Sequence, residues 1–287
     1  MSSEQTLYVV ATPIGNIDDI TARAIEVLSQ VDLIFAEDTR HSTPLLRKLG
    51  IQTRLRPLHE HNEQAQIETI IGHLRDFKSA AIITDAGTPL ISDPGFRVVK
   101  ACRQAGIKVS PVPGACAVTA ALSVSGLPTD HFEFAGFVPG KSAARRSLFQ
   151  SLKHIPHTLV LFEAPHRIID CLQAIVAEFG EHRQMSLTRE LTKRFETVIY
   201  GSASTVLRTV EADADQQKGE FVLIIGGKPE VDESITWQID RDMERTLVLL
   251  LQHLPVKTAS RCAAEIHGVQ KRLAYDRAVQ LQGRSDG

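Results

Sequence analysis

Between Asp85 and Gly95 the chain sets two acids, two hydroxyls, two glycines and two prolines directly after the β-branched run Ile82-Ile83-Thr84. An apolar helical pattern resumes at Val98, Val99 and Cys102. A buried strand, an irregular Gly/Pro loop and a helix start are where an open α/β sheet binds its ligand. Reversing the chain needs only about two turn residues, so this loop is longer than a turn requires. It is not a G-x-G-x-x-G fingerprint, no Gly-Lys-Ser/Thr follows it, and the chain contains no H-E-x-x-H. Dinucleotide and triphosphate chemistry are therefore poorly matched. Gly and Pro instead let backbone groups approach a ligand while fixing the loop's shape, a mode suited to adenosine moieties. A plainer role for Asp85 and Asp93 is helix capping. His59-Glu60-His61 with Glu63 alternates ligand types, but no third firm ligand accompanies it, so a substrate-touching loop or a solvated turn fits better than zinc, and no metal is expected.

These residues need a scaffold, and the hydrophobic pattern supplies one. Strands are expected over 7–11, 33–36, 54–58, 82–84 and 107–112. Helical stripes separate them: Ile20, Ala24, Val27 and Leu28; a short helix closed by Gly50; Ile67, Ile70, Ile71 and Leu74; and a helix ending at Gly106. This alternation predicts a mostly parallel sheet with helices on both faces. Polar clusters follow Ala11, Ala36, Leu58 and Thr84, so they should converge on one edge of that sheet. A small-residue helix follows Pro113-Gly114, and a domain boundary is placed near 126. A second α/β set is expected next: strands over 132–134, 158–162, 185–188, 195–200 and 221–225, with helices over 143–152 and 167–179, forming a mixed sheet with a hairpin-like edge. Residues 232–238 read as a polar linker. Met243, Leu247, Leu250, Leu251 and Leu254 make one helical stripe, followed by helices over 259–266 and 269–281 about His267-Gly268. The expected organisation is thus 1–126, 127–230 and a small helical appendage over 236–283.

Six motifs occur in a fixed order: Thr12-Pro13-Ile14-Gly15-Asn16, Ala36-Glu37-Asp38-Thr39-Arg40, the stretch 84–95, Phe162-Glu163-Ala164-Pro165-His166-Arg167, Arg189-Glu190-Leu191-Thr192-Lys193 and Gly219-Glu220. Each alone is weak. Together, over about residues 7–282, they resemble the ribosomal small subunit methyltransferase I family of the tetrapyrrole-methylase (class III methyltransferase) superfamily. The resemblance implies two α/β domains, S-adenosylmethionine held between them, 2′-O-methylation of a cytidine ribose in small-subunit (16S) ribosomal RNA, and a homodimer. Carried onto this chain, it lays Pro13, Asp85, Ala86, Gly87, Thr88, Pro89 and Ile91 along the cofactor. Ala115 and Cys116, with Ala117, would face its methionine or ribose part, and Phe162, Glu163 and Leu191 would approach from the other side.

The implied reaction aligns a hydroxyl with a sulfonium methyl and removes one proton, and it needs no metal. Candidate bases are Glu37, Asp38, Asp93, Glu163, His166 and Glu190, with strand-end placement favouring Glu37, Asp38 and Glu163. Arg40, Arg167, Arg189 and Lys193 could hold phosphates or lower a hydroxyl's pKa. For each of these, a cap or ion-pair role stands beside the catalytic one.

Formal net charge is −2, with 43% hydrophobic and 23% charged residues. A strongly basic whole-chain signature for nucleic acid is absent, so any RNA surface must be local. Two stretches qualify: Lys141, Arg145, Arg146 and Lys153; and Lys257, Arg261, Lys271, Arg272 and Arg277 within a helix-turn-helix-like pair carrying Tyr275. The same helices could be a solvated cap. Cys102, Cys116, Cys171 and Cys262 form no C-x-x-C pair and read as small buried side chains in a reducing compartment. No run approaches the length that spans a bilayer, and 1–6 has no signal-peptide core, so a cytoplasmic location is expected. Two competing readings are a small-molecule methylase acting on a tetrapyrrole, which would need neither appendage nor basic stretches, and a non-enzymatic RNA-binding assembly factor, which would bind no S-adenosylmethionine.

Overall fold

In the computed structural model, residues 5–59, 62–76, 78–228, 233–269 and 271–282 are described. The first layer runs β1 (Thr6–Val10), α1 (Ala22–Gln30), β2 (Leu33–Ala36), α2 (Thr39–Lys48), β3 (Leu55–Pro57), α3 (Glu63–Arg75), β4 (Ala80–Ile83), α4 (Phe96–Gln104), β5 (Lys108–Val112) and α5 (Ala117–Val124). Its strands lie in the order β3-β2-β4-β1-β5, every pair parallel. Successive side chains alternate between faces. Leu7, Phe35 and Ile82 pack with Ile70, Leu74 and Val98, while Val10, Ile34 and Ala81 pack with Ala24, Leu28 and Leu46. Each fully buried Leu, Ile or Phe contributes about 1.5–3 kcal/mol. The parallel order brings the C-terminal strand ends to one edge, as the polar clusters required. There Thr12 and Gly87 exchange backbone hydrogen bonds, and Asp85 Oδ1 accepts from the Asp38 amide.

The second layer runs β6 (Phe132–Phe137), α6 (Ser142–Leu152), β7 (Thr158–Glu163), α7 (Ile168–Phe179), β8 (Gln184–Arg189), β9 (Thr197–Ser202), α8 (Ala203–Ala212) and β10 (Phe221–Ile225). The sheet is mixed, in the order β6-β7-β10-β8-β9, with only β6 and β7 parallel. Its edge hairpin is β8 and β9, while β10 is central. Helix α8 adds to the elements expected from the sequence; Ser202 caps it, and Ala203, Val206 and Val210 form its buried stripe. One sheet face, with Leu159, Leu161 and Leu223, packs on Phe149, Cys171 and Val206. The other, with Val160, Val222 and Ile224, packs on Ile14, Val118, Ala121 and Leu122 of the first layer. Gly15 is required at this seam. A Cβ there would lie 2.5 Å from Lys193 Cγ and 2.9 Å from the Leu191 carbonyl. The Asn16 amide donates across the seam to the Thr192 hydroxyl at 3.0 Å.

The described residues from 233 onward form a separate compact unit. Its described part comprises α9 (Glu233–Leu251), α10 (Val256–His267) and α11 (Lys271–Gln282), with Gly268 at φ +65° between the last two. Met243, Leu247, Ala263, Ala264, Ala274 and Ala278 make its core. Thr246 meets His267 Nε2 at 2.8 Å, and Arg277 meets Glu244 at 2.7 Å. The expected linker is corrected here. Residues 233–238 belong to α9, because a polar run without Gly or Pro has no helix breaker. Among the described residues no helix is long and apolar enough to cross a membrane.

Candidate active site

A cavity of about 440 Å³ opens at the C-terminal edge of the parallel sheet, against the end of β7 and the start of β10. Pockets of this size hold cofactor-sized ligands. One wall is Ile14, the 85–88 backbone, Ile91, Ser92 and Asp93, with Cys116 and Ala117. The facing wall is Phe137, Phe162, Ala164, Pro165, Phe221 and Val222 with Glu163 and Glu220, while Glu37, at the end of β2, belongs with the first wall. Gly87 is required here for two reasons. Its φ of +83° is left-handed, and a Cβ would meet Ile14 Cγ2 at 3.2 Å. Thr88 is held by its hydroxyl donating to the Ala115 carbonyl at 3.0 Å. Phe162 is fixed edge-on between Phe134 and Phe137.

Of the residues singled out in the sequence, the cavity collects Glu37, Asp85, Ala86, Gly87, Thr88, Ile91, Asp93, Cys116, Ala117, Phe162 and Glu163. Pro13, Asp38, Arg40, Pro89, Ala115, Glu190, Leu191 and Lys193 lie outside its lining. Leu191 is buried in the seam beside Ile14. Cys116 is only half-buried, as is Cys262, against the expectation that all four thiols are buried. Ile14 and Ser92 join the lining from within two of the six motifs, while Phe137, Phe221 and Val222 join it without a distinguishing mark in the sequence. As apolar residues at strand ends they carry the same signal as core positions.

The polar candidates separate by their engagements. Asp38 is the N-cap of α2, and Arg40 grips it at 2.6 Å. Those hydrogen bonds hold its carboxyl well below the usual carboxylate range. Glu190 Oε1 accepts from Lys193 Nζ and the Glu220 amide, both at 2.9 Å. Burial works against its charge, but these bonds outweigh it and keep the carboxyl low. Lys193 also reaches Glu220 at 3.0 Å. Arg189 is buried and staples the Lys218 and Phe195 carbonyls. Glu163 Oε1 accepts from the Ala164 amide and from Arg167. Strand alternation turns the Glu163 side chain to the Leu161 face, toward α7 and away from Phe162. His166 is exposed on a 3-10 turn. Arg145, expected on an RNA-facing surface, is instead 5% exposed, its helical position falling on the buried side of α6. Glu63 Oε1 accepts the Arg97 and Val98 amides at the start of α4, so it serves as a remote helix cap. Glu60 and His61 lie outside the described residues.

Three carboxyls remain at the cavity. Asp85 is held by the Asp38 amide and His41 Nδ1. Burial, and then the Asp85 charge, raise the Glu37 carboxyl above its ordinary value. Burial, and then the Glu37 charge, push Asp93 up to about 6. Among the described residues, no Lys, Arg or His lines the cavity.

This fold, two α/β layers with a cleft at the parallel sheet's C-terminal edge, is that of the tetrapyrrole (corrin/porphyrin) methylases, whose family model matches residues 6–207. Solved structures with the same fold include a diphthine synthase (TM-score 0.61, 16% identity, 77% of this chain and 89% of that one) and the uroporphyrin-III-C-methyltransferase of Thermus thermophilus (0.54, 22%, 78% and 94%). An RsmI C-terminal HTH domain model matches residues 238–282. The ribosomal RNA small subunit methyltransferase I of Escherichia coli O157:H7 is 48% identical over 98% of this chain and 97% of its own. That of Pseudomonas aeruginosa is 48% identical over 99% and 100%. The chain belongs to the ribosomal RNA small subunit methyltransferase I family, S-adenosylmethionine-dependent methyltransferases within the tetrapyrrole methylases.

The cavity fits that cofactor. Its backbone wall at 85–88 accommodates only a glycine at position 87, its apolar wall suits an aromatic base, and its unneutralised carboxyls suit a sulfonium cation.

Proposed function

We propose that this protein transfers a methyl group from S-adenosylmethionine to the 2′-oxygen of a cytidine ribose in small-subunit (16S) ribosomal RNA. The observation carrying this reading is the near-identical extent of the chain and relatives bearing that name, which includes both the methylase layers and the appendage. We take 1–126 and 127–230 as the two methylase domains and 236–283 as an RNA-docking appendage presenting Lys257, Arg261, Lys271 and Arg272. The protein acts as a cytoplasmic homodimer on the assembled subunit.

Bound S-adenosylmethionine supplies an electrophilic methyl on a charged sulfur. Asp85, Ala86, Gly87, Thr88, Ile91 and Cys116 hold it on one side and Phe162 on the other. Pro13, Pro89, Ala115 and Leu191 support those walls from behind. Phe137, Phe162, Phe221 and Val222 give the cleft an apolar wall. Glu37 and its neighbouring carboxyls favour the sulfonium and face the incoming hydroxyl. Asp38 with Arg40, Glu163 with Arg167 and Glu190 with Lys193 position the loops that carry these groups. Holding hydroxyl and methyl in line removes several kcal/mol from the barrier.

The test is mass mapping of small-subunit RNA from cells with and without this protein. One ribose-methylated cytidine should disappear when the protein is absent, and an unchanged map would refute the reading.

A further inference from the structure

Strand β6 runs in regular parallel register with β7 from Phe132 to Phe134, where Phe134 lies beside Val160. The register then slips. Phe137 lies beside Phe162, so three residues of β6 span two of β7. Side chains alternate along a strand, and one extra residue moves everything beyond it to the opposite face. Unbroken alternation would put Phe137 on the face of Ala135, which packs with Phe149 of α6 and Cys171 of α7. The slip gives that core position to Val138, which is buried, and turns Phe137 to the cleft. Gly136, at φ +72°, allows the irregular step. Bulges beside active sites re-aim side chains in this way.

The re-aimed ring is not buried. Phe137 meets Phe162 edge-on, with 5.2 Å between ring centres, and is 57% exposed on the lining of the cleft. Phe162, braced also by Phe134, is the more buried ring, and Phe137 is the one open to solvent. The first layer comes close at this point. A Cβ on Gly136 would lie 3.7 Å from Ser92 Oγ. Their neighbours Phe137 and Ile91 both line the cleft, and both are exposed. A group that fits an exposed aromatic ring and a branched aliphatic side chain is flat, with apolar faces. Glu37, Asp85 and Asp93 line the same cleft and disfavour a phosphate, but not a neutral base.

We infer that Phe137 is the stacking platform for the base of the target nucleotide. When the 2′-oxygen is directed at the methyl group, the base on the same ribose lies a few ångströms away. A base drawn out of the RNA loses its stacking partners, and the Phe137 ring replaces one of them. Holding the base fixes the sugar, and a fixed sugar keeps the hydroxyl in line with the methyl. Phe137 is thus a substrate-binding residue, separate from the groups that hold S-adenosylmethionine. This assignment rests on the proposed ribose reaction on RNA.

The test measures methyl transfer to small subunits isolated from cells lacking the protein, with calorimetry of S-adenosylmethionine binding. Wild type, Phe137→Ala, Phe137→Leu and Phe137→Tyr are compared. Stacking of a base on an aromatic side chain is worth roughly 5- to 150-fold, so Phe137→Ala should lose about that much in kcat/KM. Phe134 still braces Phe162 in this variant, so the cofactor should bind within about threefold of wild type. Phe137→Tyr keeps a stacking face and should retain kcat/KM within about threefold, whereas Phe137→Leu, apolar but without a π face, should stay low. The Leu and Tyr pair decides the matter even where Phe137→Ala does not fold. Wild-type kcat/KM in Phe137→Ala would overturn the assignment. So would Phe137→Leu matching Phe137→Tyr, which would leave Phe137 only an apolar wall. A fall in cofactor affinity equal to the fall in kcat/KM would also overturn it, because the stacked group would then be the cofactor's adenine. Wild-type protein that binds the cofactor but methylates no small-subunit RNA would overturn the substrate reading itself.

Discussion

Asp93→Asn should stabilise the cofactor-free protein at neutral pH. The folded protein pushes the Asp93 carboxyl from 3.8 to about 6, through burial first and then the charges of Glu37 and Asp85. A raised folded-state value means that the folded protein resists ionising this group. Below about pH 4 the acid is protonated in both folded and unfolded chains, so its contribution to stability is fully present. Between about 4 and 6 the folded state holds the extra proton, and stability falls as pH rises. Above about 6.5 the loss is nearly complete. A displacement from 3.8 to about 6 corresponds to about 3 kcal/mol at most, at about 1.36 kcal/mol per pH unit. Solvent reaching the half-buried side chain screens that figure, leaving about 1–1.5 kcal/mol. The Asn amide is nearly isosteric and cannot ionise. The variant's melting temperature should therefore exceed that of wild type by about 2–6 °C at about pH 8, with the gain shrinking to nothing near pH 4. Calorimetric melts of both proteins across about pH 4–8 provide the measurement. A gain that is constant with pH, or a loss at the alkaline end, would refute the claim that the cleft holds Asp93 against its own charge.

Gly87→Val should reduce S-adenosylmethionine affinity at least about tenfold by calorimetry, because the left-handed backbone and the 3.2 Å approach to Ile14 leave no room for a branched side chain. Gly15→Ala should cost about 1–3 kcal/mol in denaturant unfolding, since the new methyl meets the Leu191 carbonyl and Lys193 across the seam. Removing residues 235–287 should leave cofactor binding intact and weaken binding to small-subunit RNA in filter assays. Equal RNA affinity would make the appendage purely structural. S-adenosylhomocysteine, which lacks the sulfonium charge, should bind more weakly than S-adenosylmethionine, and the difference should widen from about pH 5 to 8 as Asp93 ionises.

The alternation of strands and helices is legible because period-2 and period-3.6 patterns are set by burial, and β1 to β5 carry apolar residues on both faces of their sheet. Helix α8 is not legible in the same way. Its buried stripe is only Ala203, Val206 and Val210, and the intervening Ser204, Thr205 and Thr209 give the stretch the look of a polar loop. At the site, residue type locates the 84–95 loop but does not reveal which carboxyls are engaged. Asp38 and Asp93 both sit at strand-to-helix junctions. One caps its helix, while the other is relieved of that role by Glu63 on the preceding helix. Such relief depends on α3 packing beside α4 and has no local signature. Arg145 escapes a sequence reading for a similar reason, since its basic neighbours conceal a position on the buried side of α6.

The distribution of charge constrains how RNA must enter. With no cation in its described lining and Glu37, Asp85 and Asp93 along it, the cleft attracts a sulfonium and repels phosphates. The target nucleotide must therefore present its sugar while its phosphates stay on the rim, which calls for an extruded or single-stranded nucleotide. Cations that could meet those phosphates stand outside the cavity: the Arg40 side chain is 87% exposed at the start of α2, and Arg146 is exposed on α6. Methyl transfer then removes the feature the carboxyls favour, because sulfur leaves the reaction uncharged. The same acidic lining that draws the methyl donor in thus loosens its hold on the product, and one set of side chains favours both loading and release.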